Sequence, residues 1–230
     1  SMTKFTTYDI SNRSEPEVVQ ELYLEGYNVD AREIDGSIRA VTHSWLDVPG
    51  LTNWLNMPSE YWDLDYRDED NRREFREVIA YETILENTKI LNSLELEDLI
   101  PKIYQRTGDN IVEHDMRSES CQNFAKPLDG FSRGFTNILS LDLFSDSFSF
   151  ESDHILSNHP LVYASKDVLV LTESSWDWWW FWGQDEVMEQ TNIHTFDISV
   201  PGTTTYTGSG RIDGTILDQF SISEYEGVLR

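Results

Sequence analysis

The sequence contains a single cysteine and few basic residues. One Cys in 230 residues excludes a disulfide framework within the chain. The 17 Lys and Arg residues stand against 42 Asp and Glu residues, which gives a formal net charge of -25. Nucleic-acid binding requires a basic surface, and a chain this acidic repels phosphate groups. The sequence also lacks an apolar run of about 18 residues, the length that a membrane-spanning helix requires.

Hydrophobic residues, in contrast, are well represented. They make up 39% of the chain and aromatic residues 13%, with eight tryptophans. This content is sufficient for a buried core and excludes wholesale disorder despite the charge. Ser1-Met2 is typical of a scar left by tag removal, so the lack of a signal peptide carries no weight.

A motif of an aromatic residue followed by Asp, Ile and Ser occurs twice. It is found at residues 8–11 and at residues 196–199. In both copies a Gly follows 18 residues after the aromatic position, at Gly26 and at Gly214. A weaker third copy occupies residues 141–143. Matched spacing over this distance indicates an internal repeat.

Strand signals lie between the copies of the motif. Residues 29–34 and 37–41 flank Asp35-Gly36, a strong hairpin signal, and residues 161–164 and 168–172 predict an equivalent hairpin. We expect each unit to hold three strands and a fourth that ends in the motif. Asp142 and Asp197 are 55 residues apart, close to the roughly 40–50 of a four-stranded propeller blade. The sequence therefore predicts an all-β fold, a partial β-propeller with about two complete four-stranded blades plus parts of two others.

The spacing of the motif copies leaves room for a large insertion between strands. We expect propeller strands in residues 1–44, a mainly helical insertion in residues 45–130, and propeller strands again in residues 131–230. Apolar residues recur at helical spacing through residues 68–91, among many charged residues, which predicts an amphipathic helix. Ser93 then has the position of an N-cap for a second, short helix that ends at Pro101 or continues one turn past it.

Characteristic stretches occur along nearly the whole chain: Tyr8-Asp-Ile-Ser11, Val29-Asp-Ala-Arg32, Thr136-Asn-Ile-Leu-Ser-Leu-Asp-Leu143, Ser175-Trp-Asp-Trp-Trp-Trp180, Ile193-His-Thr-Phe-Asp197 and Asp213-Gly-Thr-Ile-Leu217. In these stretches the chain resembles secreted bacterial and archaeal proteins known as beta-propeller domain proteins. The resemblance implies an extracytoplasmic propeller, secreted or at the cell surface, with no established activity. Members of this family are typically much longer. The expected blades are too few to close a ring of about four to eight, so we expect missing blades of a longer parent chain, or a second copy, as partners.

A cluster of aromatic residues is the first candidate for a binding site. This Trp-rich segment consists of Trp176, Trp178, Trp179, Trp180, Phe181 and Trp182. Alternate side chains of a strand face opposite ways, so the rings cannot all point into one core. Two interpretations stay open: packing against or between blades, and a platform that stacks on a sugar or a partner's apolar surface.

Acidic residues close in sequence suggest a second candidate, a calcium site formed by Asp146, Glu151 and Asp153. Calcium takes six to eight oxygen ligands, but these residues do not follow the spacing of the twelve-residue calcium loop. Solvated surface charge is the alternative interpretation. We assign no other cofactor.

The sequence offers no motif for catalysis. No nucleophile elbow, glycine-rich phosphate loop or pair of histidines at metal-ligand spacing occurs. We expect the histidines to be structural or exposed, and Cys121 to be buried or paired with a residue outside the chain. The leading hypothesis is a non-catalytic binding module for a glycan or a protein. A metal-assisted polysaccharide hydrolase or lyase, with its site on one propeller face, is the alternative.

Overall fold

The structure is a computed structural model that describes residues 1–116, 121–126, 132–145, 149–175 and 189–230. The strands are β1 (Met2–Asp9), β2 (Glu17–Glu25), β3 (Tyr27–Ile34), β4 (Ser37–Trp45), β5 (Ile103–Thr107), β6 (Asn110–His114), β7 (Phe124–Ala125), β8 (Gly134–Asp142), β9 (Phe150–Ser157), β10 (Leu161–Ala164), β11 (Val168–Ser175), β12 (Gln190–Asp197), β13 (Thr205–Asp213), β14 (Glu224–Tyr225) and β15 (Val228–Leu229). The helices are α1 (Ser59–Trp62) and α2 (Glu69–Ser93).

The strands form four sheets, which confirms the predicted all-β, partial-propeller fold. Sheet B has the order β3-β4-β8-β9-β7, and sheet C has the order β10-β11-β12-β13. Each contains one complete blade of four antiparallel strands, and β7 adds a parallel strand at the edge of sheet B. Sheet A (β1-β2-β5-β6) and sheet D (β14-β15) contain parts of two other blades.

The two predicted hairpins are confirmed by the pairing of β3 with β4 and of β10 with β11. Asp35 and Gly36 connect β3 to β4 with φ angles of 51° and 79°. Two successive positive φ values define the type I′ turn, whose twist matches that of the flanking strands. Glu226 and Gly227, with φ angles of 51° and 75°, make the same turn between β14 and β15.

The repeated motif has the same structure in each copy. The Oδ1 atom of Asp9 accepts a hydrogen bond from the Ser11 backbone N–H at 2.8 Å, and Asp197 binds Ser199 at the same distance. A bulge lies two residues before each of these Asp residues. The expectation that the motif ends a fourth strand is wrong, because Asp197 ends β12, the third strand of sheet C. The capped turn returns the chain to the same sheet as β13.

Sheets B and C pack face to face. Val41, Ile138 and Ile155 of sheet B are at most 1% exposed. They meet Leu171 and Phe196, from the middle of sheet C, in one hydrophobic cluster. Residues on paired strands that face each other lie on the same side of the sheet, so the whole set comes from one face of each sheet. This packing is the stacking of adjacent blades.

The helical region is shorter than the predicted insertion. Residues 47–100 form a compact unit separate from the sheets. Within the range expected to be mainly helical, residues 103–114 instead form β5 and β6, which pair onto β2 of sheet A. In place of the predicted second helix, a 3-10 turn over Leu96–Asp98 follows, and its N-cap is Glu95 because Ser93 belongs to α2. Within the described ranges, no helix is both long and apolar enough to span a membrane.

Candidate functional site

Two long connections leave the sheets at equivalent positions. The connection from β4 to β8 is bracketed by Trp45 and Gly134, which are strand partners. The connection from β11 to β12 is bracketed in the same way by Ser175 and Gln190. Both join the second strand of a blade to the third, so both start from the same end of the strands. The chain thus enters residues 47–100 and the Trp-rich segment from corresponding ends of sheets B and C.

Aromatic rings connect sheets B and C at this end. Tyr27, at the start of β3, stacks on His159, which precedes β10, with ring centroids 5.6 Å apart. His43 lies 5.8 Å from the Tyr27 ring and 4.7 Å from the Trp45 ring, both edge to face. His159 and Trp45 are exposed, whereas His43 is completely buried. The group therefore has a solvent-facing side and a buried base.

His43 is held in a network of hydroxyl groups below this surface. Its Nδ1 atom lies 3.0 Å from the Thr136 Oγ1 atom, which lies 2.5 Å from the Ser157 Oγ atom. Burial, with a smaller contribution from His159, lowers the pKa of His43 to about 4, and Glu173 opposes this shift. His43 is therefore neutral at pH 7. Its Nε2 atom has no hydrogen-bond partner among the described residues.

Close packing around His43 depends on a glycine. A Cβ atom at Gly134 would lie 2.3 Å from the Ser44 carbonyl oxygen and 2.9 Å from the His43 Nε2 atom. Carbon atoms do not approach backbone oxygen this closely, so any larger residue would displace β4 or β8.

A buried acid and histidine lie in the adjacent sheet. Glu173 of β11 and His194 of β12 are 3% and 1% exposed, and the Oε1 and Nε2 atoms are 3.5 Å apart. The other Glu173 oxygen accepts a hydrogen bond from the Asn158 backbone N–H, next to His159. The His194 Nδ1 atom has no partner among the described residues. This pair fixes the connection that carries His159.

A cavity of about 580 Å³ opens beside these groups. Its walls include Asp30, His159, Leu161, Thr172, Ser174 and Phe220. The mixture of apolar, hydroxyl and carboxylate groups is typical of small-ligand sites, whose volumes run from about 300 to 1,000 Å³. Ser174 is two residues before Trp176, so the chain enters the Trp-rich segment from the cavity wall.

The predicted aromatic residues lie outside the described residues. These are Trp176, Trp178, Trp179, Trp180, Phe181 and Trp182. The structure describes only the residues at which the chain leaves and re-enters sheet C, Ser175 and Gln190. The sequence singled out this segment but missed the cavity whose wall includes Ser174. A signal that could have found the cavity is the predicted hairpin of residues 161–172, because Leu161 and Thr172 line the cavity.

The predicted calcium residues are only partly described, since Asp146 lies outside the described residues. Glu151 and Asp153 are on β9, on the face of sheet B that packs on sheet C. Asp153 is 7% exposed, and burial, then Glu151, raises its pKa to about 8, while Arg39 opposes the shift. Its Oδ2 atom has no partner within the described ranges. In the same ranges, no group of three or more His, Cys, Asp or Glu side chains is arranged to hold a metal ion.

Arg39 links the same two sheets at the opposite end of the strands. It is 2% exposed, and its guanidinium group donates to the Thr204 hydroxyl at 2.9 Å and to the Val200 carbonyl at 2.9 Å. Both acceptors belong to the connection between β12 and β13. Burial lowers the pKa of Arg39, and Glu151 and Asp153 oppose this shift. Arg39 thus acts as a structural bridge between blades.

His154 lies on the other face of sheet B. Its Nδ1 atom is 2.8 Å from the Asn137 Oδ1 atom, and its ring stacks on Phe124 at 4.3 Å. Burial lowers its pKa to about 3, so it is neutral at pH 7. Its partners are those of a core histidine, in agreement with the structural role expected for it.

The comparisons with known proteins agree with this architecture. The family described as Beta propeller domain matches residues 1–230, the whole chain. The comparison with curated proteins and the comparison with solved structures each gave no match. With stacked four-stranded sheets and a family match over its full length, the chain belongs to the beta-propeller domain family.

Proposed function

We propose that this protein is a non-catalytic binding module of an exported cell-surface propeller, and that it binds a glycan or a protein through the Trp-rich segment. The observation that carries the proposal is the cavity of about 580 Å³, whose wall includes Ser174. The chain runs from this wall into the aromatic residues 176–182. A ligand in the cavity would therefore lie against the part of the wall from which the chain continues to residues 176–182.

The chemistry of the cavity suits a sugar. Asp30, Thr172, Ser174 and Gln219 supply hydrogen-bonding groups, and Phe220, 86% exposed, supplies an aromatic surface. Sugars combine hydroxyl groups with apolar C–H faces, so they pair with such a mixture of polar groups and rings. The net charge of -25 favours neutral or cationic ligands over acidic ones.

A fluorescence titration with neutral polysaccharides tests the proposal. We expect binding to quench or shift the tryptophan emission. Trp178→Ala with Trp180→Ala should abolish the response, and Phe220→Ala should weaken binding by about tenfold, as expected for one aromatic contact. Trp54→Ala, at a 66% exposed position of the helical unit, is the matched control and should leave binding unchanged. An equal loss of binding in Trp54→Ala and in the variant with Trp178→Ala and Trp180→Ala would contradict the proposal.

The alternative of a metal-assisted polysaccharide hydrolase or lyase has less support. A raised pKa such as that of Asp153 suits a general acid, but this side chain is buried between sheets B and C, where a substrate has no access. Calcium binding by Asp146, Glu151 and Asp153, which we predicted from the sequence, stays a proposal.

A further inference from the structure

An exposed tryptophan lies close to the cavity of the proposed site. Trp45 is the last residue of β4 and is 51% exposed. Its ring is 4.7 Å from the ring of His43, which is 6.0 Å from the ring of His159. His159 is exposed and forms part of the cavity wall. Two ring contacts therefore lead from the cavity to Trp45.

Tyr27 widens this aromatic surface. It is the first residue of β3 and is half-buried, and its ring stacks on His159 with an angle of 13° between the ring planes. The same ring meets His43 edge to face at 5.8 Å. We call Trp45, Tyr27 and His159, with the buried His43 between them, the ring platform. Three of its four members reach solvent, so the platform presents aromatic surface to a ligand.

The buried member holds the platform in one arrangement. His43 is 0% exposed, and its Nδ1 atom lies 3.0 Å from the hydroxyl group of Thr136, its strand partner. A Cβ atom at Gly134 would lie 2.9 Å from the His43 Nε2 atom, so the imidazole ring is tightly enclosed on this side. Glu173 accepts the backbone N–H of Asn158 and so fixes the chain next to the platform. Side chains that are already ordered lose little freedom on binding, and the platform is therefore preorganised for a ligand.

The chemistry of the platform suits an uncharged sugar chain. Sugar rings have apolar C–H faces that cover aromatic rings, and their hydroxyl groups pair with polar ring atoms such as the Trp45 Nε1 atom and the Tyr27 hydroxyl group. Asp30 and Asp218 line the adjoining cavity, and the net charge of the chain is -25. These charges disfavour acidic sugars.

We propose that the ring platform is a second subsite of the proposed site. One neutral oligosaccharide occupies the cavity with one end and covers Trp45 with further sugar units. This inference rests on the proposed function, because it extends the ligand that we place in the cavity. It makes the ligand an oligosaccharide of several units, and it makes Trp45 the residue that sets the preference for longer chains. It requires nothing of residues 176–182.

Calorimetric titration with neutral oligomers of glucose, mannose and xylose, from one to six units long, tests the proposal. We expect affinity to rise with length and then to level off, because units beyond the cavity contact the platform. Trp45→Ala should bind the shortest ligands as tightly as the unmodified chain does. It should lose the gain for longer ones, about two- to tenfold for one aromatic contact. Trp45→Phe retains a ring and should restore part of this gain.

Trp54→Ala, at a 66% exposed position of the helical unit, is the matched control and should retain the full dependence on length. Thermal melts check that each variant is folded. The same length dependence in Trp45→Ala as in the unmodified chain would overturn the platform and leave the cavity as a binding site. No binding of any oligomer to the unmodified chain would contradict the proposed binding of a glycan, and the platform with it.

Fluorine NMR detects the contact in a chain with no substitution. Incorporation of 5-fluorotryptophan gives one resonance for each of the eight tryptophans, and comparison with Trp45→Phe assigns the resonance of Trp45. A bound six-unit oligomer should shift this resonance and leave that of Trp54 unchanged, whereas a single sugar should shift neither. A Trp45 resonance that does not move with the bound oligomer would overturn the proposal. A shift caused by a peptide rich in proline and aromatic residues, and by no oligomer, would also overturn it, because the platform would then contact a protein.

Discussion

The sheets and the helical unit are stabilised in different ways. Eight of the nine residues of β8 are buried, whereas none of the 25 residues of α2 is. β8 is the third strand of sheet B, which buries both of its faces. The difference shows that the sheets stabilise one another through apolar burial, while α2 depends on contacts within residues 47–100.

Polar side chains supply several contacts of α2 within its unit. Asp68 caps its N-terminus by accepting the Asn71 backbone N–H at 3.1 Å. Arg76 donates to the Tyr61 hydroxyl at 2.8 Å and to Glu69. Val78, Tyr81, Ile84, Leu85 and Leu91, in contrast, are between 43% and 63% exposed. Helical spacing thus predicted the helix correctly, but the apolar residues are divided: Phe75 and Ile79 are half-buried, whereas Val78 and Leu85 are exposed.

Truncation of a core residue should give the largest difference between the two regions. Ile138 is 0% exposed between sheets B and C, and Ile84 of α2 is 60% exposed. We expect Ile138→Ala to lower the free energy of unfolding by about 2–5 kcal/mol, because it leaves a cavity. Ile84→Ala should change it by no more than about 0.5 kcal/mol. Urea unfolding measures both, and similar losses would refute the comparison.

A pH dependence should follow from the buried titratable groups of the sheets. Between pH 3.8 and about 8, folded Asp153 holds a proton that the unfolded chain releases, so the free energy of unfolding falls as pH rises. The pKa values of His43 and His154 are lowered to about 4 and about 3, so below pH 6.5 the unfolded chain binds protons that the folded chain does not. Their contribution therefore makes the free energy of unfolding rise with pH and ends near pH 6.5. We therefore expect stability to fall by about 1–2 kcal/mol from pH 6.5 to 8.

Asp153→Asn isolates this contribution, since the amide stays neutral and occupies nearly the same volume. The fall between pH 6.5 and 8 should disappear in this variant and become smaller in Glu151→Gln, because Glu151 helps to raise the pKa of Asp153. Thermal melts across this pH range provide the measurement. A fall that survives in Asp153→Asn would assign it to another group.

Removal of the helix cap should have the smallest and most local effect. Asp68→Ala leaves the Asn71 N–H without its acceptor and should cost about 1 kcal/mol. Asp68→Asn retains an acceptor and is the matched control. Hydrogen exchange should show faster exchange in residues 69–93 and unchanged rates in β8. Faster exchange in β8 would mean that the two regions unfold together.

Several features could be predicted from the sequence because their causes are local. The Asp35-Gly36 turn needs two adjacent residues that tolerate positive φ, and the repeated motif needs an Asp two residues before the N–H that it caps. The neighbours of a strand are different, because they depend on residues far apart in the chain. For this reason the pairing of β5 with β2, and the place of Asp197 at the end of a third strand, could not be predicted.

The candidate site likewise has one part that could be predicted from the sequence and another that depends on residues far apart in the chain. The sequence identified the Trp-rich segment from composition alone, but the cavity combines Asp30, His159, Ser174 and Phe220, which only the stacking of sheets brings together. The sequence by itself determined the repeat, the hairpins, the helix and the acidic surface. Tertiary structure alone decided which histidines are buried, why Asp153 keeps its proton and where the cavity lies, because burial and pairing arise only when distant strands meet.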